Sequence, residues 1–320
     1  ITKYKLKILQ LALCNGLIPV ITANSRLLNL TKKAIMSSKH WFTILRLSVF
    51  FVFIGRAYQF IFFSTPFKAL LTLPVIENLI DQTWLESVEV DNAIHLFTTF
   101  CGFLFLLAAI TALAWETIRL DRLKRSIIYI GTGIMILLAL ATAKEKDHAV
   151  LQILEFFIQL SAPVALLFVK QVDKAGLAKI KLVLKVAISA TFMAHGLFAL
   201  GIIYYPANFV GMTTGILGFT ESQAKVFLTT AGVLDLITAA LLYFPKTTKI
   251  ALSYALIWGI ITALARVVYG FNSDLMAVSI HDSLYGTIYR LPHGLTAGII
   301  LLILLRSSFD QSPPSTADQA

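Results

Sequence analysis

The stretch AIHLFTTFCGFLFLLAAITAL (93–113) aligns without a gap on AKVFLTTAGVLDLITAALLYF (224–244). Thr98-Thr99 falls on Thr229-Thr230, and Ala108-Ala109 falls on Ala239-Ala240. Each copy runs about 20 mostly apolar residues, enough for one helix to cross the hydrocarbon core of a bilayer. A matched period this long means one helical bundle used twice, so chemistry is expected where the copies differ. One such place is Asp235, which stands opposite Leu104.

The rest of the chain agrees with a membrane protein. Its mean hydropathy is +0.80, and it is 58% hydrophobic and only 14% charged, against about 25% charged in soluble domains. Eight stretches have the length and composition of spans: Leu47–Phe63, Ala93–Trp115, Ile127–Ala143, Ala149–Val169, Val186–Tyr204, Val226–Phe244, Ile250–Tyr269 and Ile288–Leu305. The predicted fold is all-α and polytopic, with the eight spans arranged as two parallel-repeat four-helix bundles. Four spans per half is an even number, so both halves run the same way through the membrane. Cys14 and Cys101 make no disulfide framework and no paired metal motif.

The net charge of +10 is unevenly placed. Lys and Arg crowd the segment before the first span, then Arg119 to Arg125, Lys170 to Lys185, Lys246, Lys249 and Arg306. The alternate connections carry only Lys68, Lys144 and Lys146, beside Glu77, Asp81, Glu86, Glu89 and Asp91. This is the positive-inside asymmetry, not a nucleic-acid surface, and it puts both termini in the cytoplasm of an inner membrane.

Five segments follow: a basic amino-terminal segment (1–46), a first membrane bundle (47–170), a cytoplasmic linker (171–181), a second bundle (182–306) and a disordered tail (307–320) containing Ser-Pro-Pro-Ser. The amino-terminal run Ile8 to Ala23 behind Lys3, Lys5 and Lys7 has the layout of a signal peptide, but Leu13 is too large for the position before Cys14 in a lipoprotein site. The favoured reading starts translation at Met36. Pro66 and Pro206 align in the long first outer loops, which hold candidate interfacial segments such as Ile76 to Val88 with Trp84.

In the second half, Ala194-His195-Gly196 in its first span, Gly232-Val233-Leu234-Asp235-Leu236 in its second, and a tight basic turn leading into Ile250 to Arg266 resemble the DoxX-like four-helix membrane proteins. The resemblance covers most of 186–305 and more faintly 47–169. It implies membrane redox work with a quinone, as in the thiosulfate:quinone oxidoreductase subunit, and a membrane or periplasmic redox partner. The first half departs from the pattern at Leu104.

Ionisable side chains inside spans are costly unless paired or hydrated, which makes each a candidate for function. Counting about 1.5 Å per residue from the basic ends puts His195, Asp235 and His293 in one layer roughly 15 to 20 Å deep, with Arg266 and Arg290 at about 25 Å. One reading is a quinone or quinol site in which Asp235 and a histidine exchange protons while the arginines stabilise oxyanion character. A second is bis-histidine ligation of haem b by His195 and His293. A small-solute or ion permease would use the same polar layer as its midplane site, and a non-catalytic assembly subunit would need none of it. Structurally, Asp235, Arg266 and Arg290 could instead form a buried ion-pair network with the histidines as packing residues. Arg56 and Glu155 in the first half read as a salt bridge closing that bundle, while His95 and His281 read as solvated. Gly131-Thr132-Gly133 lies in a span and is helix packing.

Overall fold

A run of apolar residues longer than a bilayer is thick has one way to satisfy its backbone without water, which is to stay helical. The computed structural model describes residues 38–147, 149–169 and 174–310, and among them there are helices and no strand. The expectations for Met36 and residues 1–37, for residues 171–173 of the linker and for the Ser-Pro-Pro-Ser stretch lie outside the described residues, whereas residues 38–46, 174–181 and 307–310, expected to lie outside the bundles, are helical.

The first half holds α1 (Ser38–Phe62), three one-turn helices α2 (Lys68–Leu71), α3 (Pro74–Glu77) and α4 (Gln82–Leu85), then α5 (Val88–Leu113), α6 (Asp121–Glu145) and α7 (Ala149–Phe168). The second half holds α8 (Lys174–Ala199), the short apolar α9 (Ala207–Leu217), α10 (Glu221–Leu241), α11 (Thr248–Gly270), and α12 (Met276–Ile288) followed by α13 (Pro292–Asp310). Among the described residues, eight segments are long and apolar enough to cross a membrane, with α12 and α13 making up the last of them. The protein is an all-α, multi-pass membrane protein. Leu96, Phe100, Phe103, Val226 and Ile257 stay exposed on the outward faces of the spans, as a lipid-facing surface requires. One apolar core draws on every span, from Leu45 and Phe53 through Phe105, Met135, Ile158, Leu184, Ala239 and Leu252 to Ile300.

Local signals set the helix ends. Ser87 caps α5, its hydroxyl accepting from Val90 N at 3.4 Å, with Glu89 and Asp91 in the first turn against the positive end of the helix dipole. Thr220 and Gln223 form a reciprocal capping box at the start of α10, and Gly218 ends α9 at φ +68°, where a side chain would be strained. The basic residues of the charge-rich connections serve as carboxy-terminal caps. Arg46 donates to the backbone oxygens of Ala112 and Leu113 and pairs with Glu116 at 2.5 Å, and Arg125 donates to Leu167 O at 2.5 Å.

Two close helix crossings position the second half. A Cβ built on Gly196 of α8 would lie 2.9 Å from Gly232 O, and one on Gly232 of α10 would lie 2.8 Å from Gly196 O. On α11, a Cβ at Gly259 would lie 2.6 Å from Gly294 N of α13. Glycine at these points lets backbones touch, which is how membrane helices gain packing without a hydrophobic drive between them. The α7–α8 contact is bridged instead by Thr191, whose hydroxyl donates to Leu154 O at 3.0 Å and accepts from Ile158 N at 3.2 Å. Thr191→Val is expected to cost about 0.6 kcal/mol, the usual worth of an interhelical hydrogen bond in a membrane, read by SDS titration of the protein in mixed micelles. A loss above about 2 kcal/mol would mean that the hydroxyl does more than bridge two helices.

The last span departs from the single helix expected over Ile288–Leu305. Helix extends back to Met276 and is interrupted by turn at 289–291, because Pro292 has no N–H and disfavours helical backbone in the residue before it. Non-helical backbone at membrane depth is tolerated where it is buried in protein or lines a cavity.

Candidate functional site

The two glycine crossings and the broken span converge on one cavity of about 200 Å³ in the second half. His195 comes to it from α8 beside Gly196, Asp235 from α10 three residues after Gly232, Arg266 from α11, Arg290 from the break, and His293 from the first turn of α13 beside Gly294. All five residues singled out in the sequence therefore line the same space. The remaining wall is largely apolar or aromatic, including Phe192, Phe209, Ile216, Phe227, Leu228 and Trp258. Phe209 and Ile216 belong to α9, which the sequence showed only as part of an outer loop.

The polar groups are arranged unequally. Asp235 is 5% exposed, and its carboxylate accepts from the Tyr254 hydroxyl at 3.1 Å. Tyr254 stacks on Trp258, with ring centroids 6.3 Å apart and planes 22° apart. His195 and His293 lie with their rings nearly parallel, at 4°, and centroids 5.7 Å apart. The Nε2 of His195 is 3.5 Å from Glu155 Oε1 of α7, and Phe209 meets the same ring edge-on at 6.1 Å. His293 is 4% exposed and donates from Nδ1 to Arg290 O at 2.9 Å, which leaves its Nε2 with a lone pair. Arg290 donates to the Tyr289 hydroxyl, and its guanidinium lies 4.6 Å from that ring's centroid. Past the end of α8, partial burial and the Glu155 carboxylate raise the Tyr204 phenol above its ordinary pKa.

Three expectations change. Among the described residues no ion pair includes Asp235, Arg266 or Arg290, so the buried ion-pair network does not form; Asp235 is served by a phenol and the arginines face the cavity. Arg56 and Glu155 do not close the first bundle as a salt bridge. Arg56 donates to Gln59 Oε1 at 2.6 Å and to Gln159 Oε1 from Nη2 at 2.6 Å, while Glu155 turns to His195. His281 is not in a solvated loop: it lies in α12, its Nδ1 2.5 Å from the Tyr58 hydroxyl and its ring packed against Phe62 and Phe63. His95 is exposed on α5, and Cys101 is buried in the core.

Tyr254, Trp258, Tyr289 and Glu155 join the site without having been singled out for it. Pro292 was the readable signal for Tyr289 and Arg290, since a proline inside a span marks the turn before it. Nothing in a single sequence pairs Glu155 of α7 with His195 of α8. Among the described residues no three His, Cys, Asp or Glu side chains are grouped to hold a metal ion. Comparison with family models, with curated proteins and with solved structures finds no match in any of the three.

Proposed function

We propose that the cavity binds the head group of a quinone or quinol and that the protein is a quinone-linked, DoxX-like redox subunit of an inner membrane with both termini in the cytoplasm. The observation that carries this is the composition of the cavity: about 200 Å³, apolar on most of its wall, with Asp235, two histidines and two arginines aimed in from separate elements. An apolar cavity of about 150 Å³ holds one benzene ring, so this one suits a single substituted six-membered ring. Small-molecule sites have this makeup, with an aromatic wall and a few convergent polar groups.

Each group has a distinct use. Arg266 and Arg290 can donate to a carbonyl oxygen as it gains negative character. Asp235, held by Tyr254, and His195, backed by Glu155, are the groups able to exchange the two protons that accompany a two-electron interconversion of quinone and quinol. The electrons come from a redox partner. The haem reading is less well supported, because the Nε2 of His195, a nitrogen it would offer to iron, is directed to Glu155.

The test is organic extraction of the detergent-purified protein, with oxidised and dithionite-reduced spectra and titration of the stripped protein with a short-chain quinone. Trp258 lines the cavity, so saturable fluorescence quenching is expected, lost in Trp258→Phe. Asp235→Asn and His195→Gln are each expected to weaken quinone binding by about 10- to 100-fold, the worth of a charge-assisted hydrogen bond, with the unfolding midpoint nearly unchanged. A colourless protein that carries no quinone and shows no quenching sinks this reading and leaves the permease and the non-catalytic assembly subunit.

A further inference from the structure

A second cavity, of about 480 Å³, opens on the other side of Arg266 and Arg290, between α9, the end of α11 and α12. Its lining includes Asn208, Ser283 and Tyr285, and the two arginines are shared with the quinone-sized cavity below. Following the spans, this vestibule lies at the end away from Lys246 and Lys249, on the side with few cations.

Its charge is out of balance. Arg266 has no ion-pair partner among the described residues, and its buried Nε has no hydrogen-bond partner. Among the described residues Arg290 donates only to the Tyr289 hydroxyl and Gly286 O. A third guanidinium, that of Arg56, lies 3.8 Å from the centroid of the same Tyr289 ring. Of the carboxylates around the two cavities, Asp235 accepts from Tyr254, Glu155 faces His195, and Asp282 is exposed at the rim. Cations gathered at membrane depth without counter-charge are unfavourable, and a planar guanidinium with free donors matches a carboxylate or phosphate two bonds at a time.

We infer that this vestibule is an anion site, which takes a carboxylate or phosphate group from the side opposite the basic connections and holds it between Arg266 and Arg290. The group reaches it either on a free solute or on the head of an acidic lipid. The inference goes beyond the quinone reading and does not need it, although the two sites share their arginines.

The test uses the full chain in a neutral detergent, stripped of quinone. The unfolding midpoint is followed against inorganic phosphate and succinate, with chloride at matched ionic strength. In parallel, retention of phosphatidylglycerol is measured by native mass spectrometry from nanodiscs of mixed phosphatidylcholine and phosphatidylglycerol. A midpoint that rises with phosphate or succinate but not chloride identifies a free anion; selective retention of phosphatidylglycerol alone identifies a head group. In either case the response is expected to weaken about 10-fold or more in Arg266→Gln and to persist in Asp235→Asn, which separates this site from the quinone cavity. Asn208→Leu, at an exposed position on the rim, blocks the mouth without touching the fold and decides the matter should Arg266→Gln fail to assemble. No response to phosphate, succinate or phosphatidylglycerol, or a response unchanged in the folded variants, overturns the inference.

Discussion

Gly294→Ala is expected to lower the stability of the protein by about 1 to 3 kcal/mol, the range for overpacking a filled interior, and to weaken the proposed quinone binding with it. A single methyl suffices because of what it meets. A Cβ at 294 would lie 2.5 Å from Leu256 O and 2.9 Å from Ile260 N. Backbone atoms of a neighbouring helix cannot rotate aside as a side chain can, so α11 and α13 must separate. His293 precedes that glycine and Trp258 precedes Gly259 on the facing helix, so separation widens the cavity where its polar groups converge. Gly298, one turn further along α13, supplies the control: a Cβ there meets nothing nearer than Leu256 Cδ1 at 3.5 Å, an ordinary contact. Alanine is favoured over glycine in a helix by up to about 1 kcal/mol, so Gly298→Ala is expected to be neutral or stabilising. Thermal unfolding of both variants in one detergent reads the contrast. Equal midpoints would mean that the crossing is looser than the structure has it.

The contrast also shows where sequence reading reaches and where it stops. Spans are legible because a bilayer demands about 20 apolar residues at a time, and depth is legible because a helix climbs about 1.5 Å per residue. That is why His195, Asp235, His293, Arg266 and Arg290 could be assigned to adjoining layers before any coordinates. Rotation about each helix axis is another matter. It depends on which small residues let backbones approach, and Gly259 and Gly294 look no different in the sequence from Gly133, where an added Cβ meets nothing within 4 Å. Rotation decides partners, so the Asp235 carboxylate was offered two arginines and took the Tyr254 phenol, while Glu155 was offered Arg56 and took His195. Opposite charges attract at any register, but a span can satisfy a buried group only with what its neighbours present at that depth.

Arg56 joins three parts of the chain. It is 4% exposed and sits on α1, yet it bonds Gln159 of α7 and lies 3.8 Å from the ring centroid of Tyr289 in the broken span. Arg56→Ala removes the donors to Gln59 and Gln159, leaves a void, and unstacks Tyr289. The expected loss is about 2 to 5 kcal/mol, as for a large-to-small change in a filled interior that also leaves the glutamine oxygens without their donor. Two further variants divide that loss. Arg56→Met restores volume but leaves the glutamine oxygens without their donor, at about 1 to 3 kcal/mol, partly offset by no longer burying a charge. Arg56→Lys keeps the charge, but an ammonium on a flexible stem cannot serve both glutamines while lying flat on a ring. It is expected to recover less than half of the alanine loss. SDS or thermal unfolding gives the ranking, and Tyr289 fixes its local meaning: if the stack orients the break, Arg56→Lys also weakens retention at Arg290 while Arg266 is untouched. Full recovery by lysine would reduce the interaction to charge alone and remove the case for planarity at this position.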